Sequence, residues 1–189
     1  MAKVGESIEN PISGERVVWI ETAASSGGEL LAADLYLRPG AAVAATHRHL
    51  RQEERFRVAA GRVALEIEGE RRDLEVGDEA TVPAGAAHRW WNSGEGKAAV
   101  RVELRPALDT ETFFETFFGL ARDGKTNSKG IPGLLQIAVA YRELGDSCPE
   151  LTKPPASMQR ILFAVLAPIG RRRGRRAVYA SYSPGHRKL

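Results

Sequence analysis

The chain has 189 residues, 43% hydrophobic and 27% charged, which suits one globular domain with an appendage and enough apolar residues to bury a core. Its single cysteine, Cys148, excludes an intramolecular disulfide and a cysteine metal cluster, and fits a reducing compartment. The formal charge of +3 is unevenly spread: from Lys153 onward there are nine Lys/Arg and no Asp or Glu, so 18 of the 27 basic residues face all 24 acidic ones in the rest, and an acidic body carries a basic tail.

The opening "MAKVGESIEN" has no apolar core of signal-peptide length. No run reaches the roughly 18 apolar residues of a membrane span. A cytoplasmic location with no membrane span is therefore expected. Up to about Arg105 the chain reads as strands. The first two are "ERVVWIETA" and "ELLAADLYLRPG". In "RVALEIEGERRDLEVGD", Val63, Leu65 and Ile67 alternate with Arg62, Glu66 and Glu68, and an "EGE" turn follows. In "KAAVRVEL", Ala98, Val100, Val102 and Leu104 alternate with Lys97, Arg101, Glu103 and Arg105. A period of two means one buried and one wet face. Turn signals recur about every ten residues, which predicts an antiparallel sandwich or barrel.

After Pro106 the period changes. "DTETFFETFFGLARDG" predicts a helix capped by Asp109 or Thr110, with Phe113, Phe114, Phe117 and Phe118 as a stripe packed on the barrel. "KTNSKGIPG" is a loop. "LLQIAVAYRELG" is a second helix stopped at Gly145. "DSCPELTKPP" is a Pro-rich connector, and "ASMQRILFAVLAPIG" is a third helix ended or kinked near Pro168. "RRRGRR" (171–176) and a short loose tail follow, with "AVYASY" as a further packing segment. The expected division is 1–106 for the barrel and 107–189 for a helical extension and basic tail.

Chemistry gathers in "HRHLRQEERFRVAAG", which starts at His47, and in "AAHRWWN". On a strand, i and i+2 share a face, so His47 and His49 point together and Arg48 points away. The same alternation sets Glu54 with Phe56 and Val58, and Glu53 with Arg55 and Arg57. His88 shares a face with Trp90 and Asn92. Three imidazoles and one carboxylate converging inside a barrel make a borderline N3O site for Fe, Mn, Co, Ni, Cu or Zn. An inward carboxylate among apolar neighbours needs a partner, and a metal supplies one.

These two segments resemble the paired motifs of the cupins, the small double-stranded β-helix (jelly-roll) barrels. The first motif is met by Gly40, His47, His49, Glu54 and Gly61, with six residues rather than five between Gly40 and His47. The second is met at every position by Gly77, Pro83, Gly85, His88 and Asn92 in "GDEATVPAGAAHRWWN". The resemblance covers about the first 105 residues and none of the helical part. It implies an all-β cupin barrel of RmlC-like type, followed by an α-helical C-terminal region. It also implies His47, His49, Glu54 and His88 as ligands of one divalent transition metal, and a homodimer built on barrel surfaces.

Fold does not choose the reaction. The inward candidates near the cluster are Val43, Ala45, Phe56, Val58, Trp90 and Asn92; of these, Val43, Phe56, Val58, Trp90 and Asn92 are the expected substrate pocket. An apolar small organic molecule suits that lining better than a phosphorylated sugar, which would want inward Arg or Lys. The expectation is a metal-dependent, dioxygenase-like enzyme, with isomerisation and decarboxylation within reach of the same site and no separate catalytic residue assigned. The alternative is a non-catalytic small-ligand or sensor barrel.

Two further motifs read as structure. "GLARDGKT" satisfies the phosphate-loop pattern at Gly119, Gly124, Lys125 and Thr126, but it ends a helix rather than opening one, so Gly124 reads as a C-cap. "RRRGRR" lacks interleaved aromatic residues, so no nucleic-acid partner is expected. With the preceding "ILFAVLAPIG", too short to span a bilayer, it could lie at an anionic membrane interface, but the preferred reading is a buried terminal helix followed by a solvated basic turn.

Overall fold

The computed structural model describes residues 2–184, with Val43 and Ala44 described in backbone only. Ten strands come first: β1 (Ser7–Glu9), β2 (Arg16–Glu21), β3 (Leu31–Leu37), β4 (Ala42–Arg48), β5 (Glu53–Ala60), β6 (Val63–Ile67), β7 (Glu70–Leu74), β8 (Glu79–Val82), β9 (His88–Asn92) and β10 (Ala98–Arg105). Then follow α1 (Thr110–Arg122), α2 (Leu134–Leu144), a two-residue strand β11 (Glu150–Leu151) and α3 (Ala156–Arg172). All pairings are antiparallel. One sheet runs β1-β2-β3-β10-β5-β8 and the other β11-β4-β9-β6-β7. The two sheets close face to face as the expected barrel.

Alternation decides what each strand buries. Along β10 the residues Ala98, Val100, Val102 and Leu104 are buried, while Arg105 is exposed. Along β5, Glu54, Phe56 and Val58 are buried between exposed Glu53, Arg55 and Arg57. Register is fixed by turns as well as by burial. The two-residue β6–β7 hairpin turn has Glu68 and Gly69 both at positive φ, 50° and 85°. Two positive φ values match the right-handed strand twist, and Gly takes that conformation without strain. The barrel core is built on Trp19, Leu37, Phe56, Leu65, Trp90 and Val100. Each such side chain, fully buried, contributes on the order of 1.5–3 kcal/mol.

The helical part is tied to the barrel in two ways. Phe114 meets Trp19 edge-on, with ring centroids 6.3 Å apart, and Phe118 joins the barrel core, as the sequence predicts. Phe113 turns instead toward a second apolar cluster formed by Ala138, Val139, Leu144, Phe163 and Ala167, and Phe117 packs against both clusters. So α1 lies between two cores. Its polar residues Thr110, Glu111, Thr112, Glu115 and Thr116 are consequently buried too. Buried polar groups must find partners. The Ala23 N–H donates to Glu111 at 3.1 Å, and the Thr116 hydroxyl donates to the Ala177 carbonyl at 2.9 Å.

Three expectations need correction. The segment "DSCPELTKPP" is more than a connector, because β11 within it pairs with Arg48 and His47 of β4. Of the two outcomes expected near Pro168, an end or a kink, the end is overturned: the third helix runs on to Arg172 with Pro168 inside it. Proline forfeits only the bond to the carbonyl four residues back and crowds that turn. Ala164 and Pro168 are both exposed, so that carbonyl lies on the side open to solvent. Finally, the tail is not loose up to residue 184. Ala177 is buried in the second cluster, and the Tyr182 ring lies on Gly119 of α1. Asp109 takes the N-cap position of α1, but its side chain makes no capping bond.

Candidate metal centre

The site is assembled from both sheets. The β4–β9 register places His47 directly across from His88. His49 lies one residue past the end of β4, on the same face as His47. Glu54 comes from β5 in the opposite sheet, where it pairs with Val82 and Leu104. Period-two geometry thus turns all four inward, and all four are buried at 7% exposure or less. One ligand atom from each lies within 4.8 Å of the others. Imidazole rings of His47 and His88 stand 4.3 Å apart, and those of His47 and His49 5.2 Å.

Each ring is held by its outer nitrogen. His47 Nδ1 is 2.8 Å from the Ala45 carbonyl, and His88 Nδ1 is 3.1 Å from the Ala86 carbonyl. His49 Nδ1 is 3.2 Å from Gln52 Oε1. All three partners are acceptors, so each Nδ1 carries the proton and each Nε2 faces the cluster. Gln52 is the residue that spacing alone did not single out. Its amide nitrogen donates to the Pro106 carbonyl at 2.9 Å, the Ala107 carbonyl at 3.1 Å and Thr110 Oγ1 at 2.9 Å. With acceptors all round the nitrogen, the amide oxygen must face His49. A buried Gln two residues before the inward Glu was the available sequence signal.

The charges follow from the geometry. His88 Nε2 donates to Glu54 Oε2 at 2.8 Å, and His49 Nε2 lies 3.4 Å from the same oxygen. Burial pushes the Glu54 carboxyl up, but the hydrogen bond from His88 and the surrounding imidazoles outweigh it, and its pKa lies below the usual value of 4.5. Burial pushes His88 down, but the bond and charge of Glu54 outweigh that, and its pKa lies above 6.5. Burial, then the charge on His88, lowers His47 to about 4. Burial likewise lowers His49. These shifts favour an ionised Glu54 paired with a charged His88, beside neutral His47 and His49 whose Nε2 lone pairs are free.

Three imidazole nitrogens and one carboxylate converging in a buried interior fit a divalent transition metal once His88 Nε2 is free of its proton. The outer-nitrogen bonds are the orientation that such a site requires. This buried cluster could hold one metal ion. Phe56 lies against it, its ring centroid 6.4 Å from His88 and 5.4 Å from Trp90. Phe56, Val58 and Trp90 are fully buried and make an apolar wall. The Asn92 amide is occupied elsewhere: it donates to the Leu37 and Gly96 carbonyls and accepts from the Gly94 N–H. Val43 sits in β4 opposite Trp90, and its side chain lies outside the described residues.

Residues 34–104 match the family model described as "Cupin domain". The barrel is a cupin domain. A stretch of 71 residues is 37% identical to an uncharacterized protein of Aquifex aeolicus, covering 31% of this chain and 59% of that protein. The chain thus matches less than two thirds of that relative's length. Among solved structures, the cupin barrel is similar to KdgF from a Halomonas species, at 25% identity and a TM-score of 0.44, over 49% of this chain and 79% of that one. It is also similar to a predicted oxalate decarboxylase from Thermotoga maritima, at 20% identity and a TM-score of 0.47, over 53% and 90%. An RmlC-like cupin from Shewanella frigidimarina matches at 22% identity and 0.46, over 53% and 83%.

The phosphate-loop look-alike is a helix end. Gly124 follows the C-cap of α1 at φ 67°, Lys125 pairs with Asp123 at 2.9 Å, and the next helix starts only at Leu134. Cys148 is buried, and burial holds its thiol protonated, well above the usual range. Among the described residues no helix is long and apolar enough to cross a membrane.

Proposed function

We propose that the cupin barrel is a metal-dependent enzyme acting on a small, largely apolar organic molecule by oxygenase-type chemistry. His47, His49, Glu54 and His88 would hold one Fe, Mn, Co, Ni, Cu or Zn ion. The observation that carries the reading is the donor geometry: three imidazoles with outer nitrogens tied down and inner nitrogens aimed at one buried carboxylate. A bound ion would supply Lewis-acid or redox chemistry at its open coordination positions. The chain's own residues do the rest. His47 and His49 offer lone pairs without giving up a proton. The hydrogen bond between His88 and Glu54 would give way to a metal, so loading would compete with protonation of that pair. Gln52 keeps the His49 ring in one orientation. Phe56, Val58 and Trp90 exclude water and favour an apolar substrate. We place the enzyme in the cytoplasm as a homodimer formed through barrel surfaces.

The test is metal content and oxygen uptake of the purified protein. About one equivalent of iron or copper, with oxygen uptake on aromatic diols or diketones, supports the reading. Near-complete closure of the four ligands favours one other reading, a non-catalytic ligand or sensor barrel. Metal-free protein that takes small ligands only in thermal-shift experiments would establish that second reading and overturn the first.

A further inference from the structure

Helix α3 breaks the rule that a surface helix is polar outside. Between Arg160 and Arg171 lie only uncharged residues, "ILFAVLAPIG". One side of the helix is buried: Gln159 donates to the Leu151 and Pro154 carbonyls, and Phe163, Ala167 and Gly170 pack toward α2, close enough that a Cβ on Gly170 would meet the Leu135 carbonyl at 2.8 Å. The opposite side is apolar and open. Met158 is 54% exposed, Ile161 69%, Val165 61%, Leu162 37% and Ile169 39%. These positions follow the i, i+3, i+4, i+7 spacing of a single stripe. An apolar stripe of this kind marks an interaction surface.

Charge says what kind of partner covers it. From Lys153 to the end there is no acidic residue. Arg171 pairs with Glu143 at 3.4 Å and Arg160 with Glu150 at 3.8 Å. Arg172, Arg173, Arg175 and Arg176 are exposed and have no ion pair with any described residue. Ile131 and Leu134, also exposed, precede and open α2 at the same end, where Leu135 touches Gly170. A second copy is a poor occupant. Antiparallel pairing of two α3 stripes would set Arg160 of one against the arginine run of the other. Five aliphatic side chains also bury only about 60–120 Å² each at the usual transfer coefficient, short of the roughly 800 Å² per partner of a stable interface.

We propose that α3 and the arginines after it form a peripheral docking surface for an anionic lipid bilayer. The stripe of Met158, Ile161, Leu162, Val165 and Ile169 enters the headgroup–acyl boundary, and Arg172, Arg173, Arg175 and Arg176 engage lipid phosphates. The helix lies in the plane of the surface rather than spanning it. The surface is independent of the metal cluster, so the cupin barrel would be held at a membrane whatever its reaction.

The test is co-sedimentation of the full chain with phosphatidylcholine vesicles, with and without phosphatidylglycerol, at low and high salt. Binding to the anionic vesicles alone, weakened by salt, is expected. Replacing Arg172, Arg173, Arg175 and Arg176 with Ser should weaken it on the order of 100-fold or more. Ile161→Ser with Val165→Ser should abolish it, and the exposed barrel change Val76→Ser should leave it intact. All these positions are exposed, and circular dichroism checks that the variants fold. No vesicle binding, or equal binding to both lipid compositions, overturns the proposal. So does a dimer in solution that Ile161→Ser with Val165→Ser dissociates, which would assign the stripe to a second copy.

Discussion

The barrel and the helical part obey opposite rules about polarity. In the barrel every strand residue has one of two sides, and the pleat assigns it. Glu53, Arg55 and Arg57 face out; Glu54, Phe56 and Val58 face in. The one inward charge is met by the imidazoles of His88 and His49. In the helical part, α1 buries Thr110, Glu111, Thr112, Glu115 and Thr116, whereas α3 exposes Met158, Ile161 and Val165. A buried polar group signals a second layer packed over it, and an exposed apolar stripe signals a layer still to be added. The barrel is finished within the chain; α3 is not.

Substitutions in the two regions should differ in their effects. The largest effect is expected at Phe56→Ala, which opens a cavity between Trp90 and His88 in the finished core. Chemical denaturation should show a loss of about 3–5 kcal/mol; a loss below about 1 kcal/mol would mean the barrel core is not close-packed there. Next comes Gln52→Ala. It should leave the fold in place but weaken metal binding by about 10–100-fold in chelator competition, because the His49 ring loses its anchor. Unchanged affinity would reduce Gln52 to a tie between barrel and α1.

Smaller again is a pH effect at Glu111. Burial raises its carboxyl above the ordinary 4.5, with the Ala23 N–H working against the shift. The folded chain thus holds a proton that the unfolded chain releases. Stability from that site is complete below pH 4.5 and is lost as pH rises through the folded value. Glu111→Gln keeps an acceptor for Ala23 and cannot ionise. Its melting temperature should match wild type in acid and exceed it at neutral pH; a gain that is the same at every pH would remove ionisation as the cause. The smallest effect is expected at Ile161→Ser, within about 0.5 kcal/mol of wild type. A loss of several kcal/mol would show that the stripe is already packed in the isolated chain.

The barrel was legible because a two-residue period leaves little choice. The inward set at β5 and the paired motifs selected Glu54 over Glu53 by separate routes, and the structure brings Glu54 to His47, His49 and His88. The helical part was legible as helices but not as surfaces. The four phenylalanines of α1 read as one stripe on the barrel, and three of them pack there; Phe113 serves only a second core and Phe117 serves both, because sequence does not show that α2 and α3 fold over it. The strand β11 has two residues, too few for any period, and its partners are 102 and 104 residues away in β4. Whether Pro168 ends or only disturbs the helix was open in the sequence, because its cost depends on whether the freed carbonyl meets water, which is a property of the packed helix. Gln52 was passed over because its partners, Pro106, Ala107 and Thr110, lie beyond the barrel motifs.

One buried carboxylate and three imidazoles are proposed to form a single metal centre. Elemental analysis of purified wild type, Glu54→Ala and Glu53→Ala tests it most directly. The two glutamates are neighbours in sequence and opposite in direction, Glu54 buried and Glu53 exposed. The prediction is about one equivalent of a transition metal in wild type and in Glu53→Ala, and little or none in Glu54→Ala. Equal metal in all three proteins, or metal lost on changing Glu53 and kept on changing Glu54, would contradict the account.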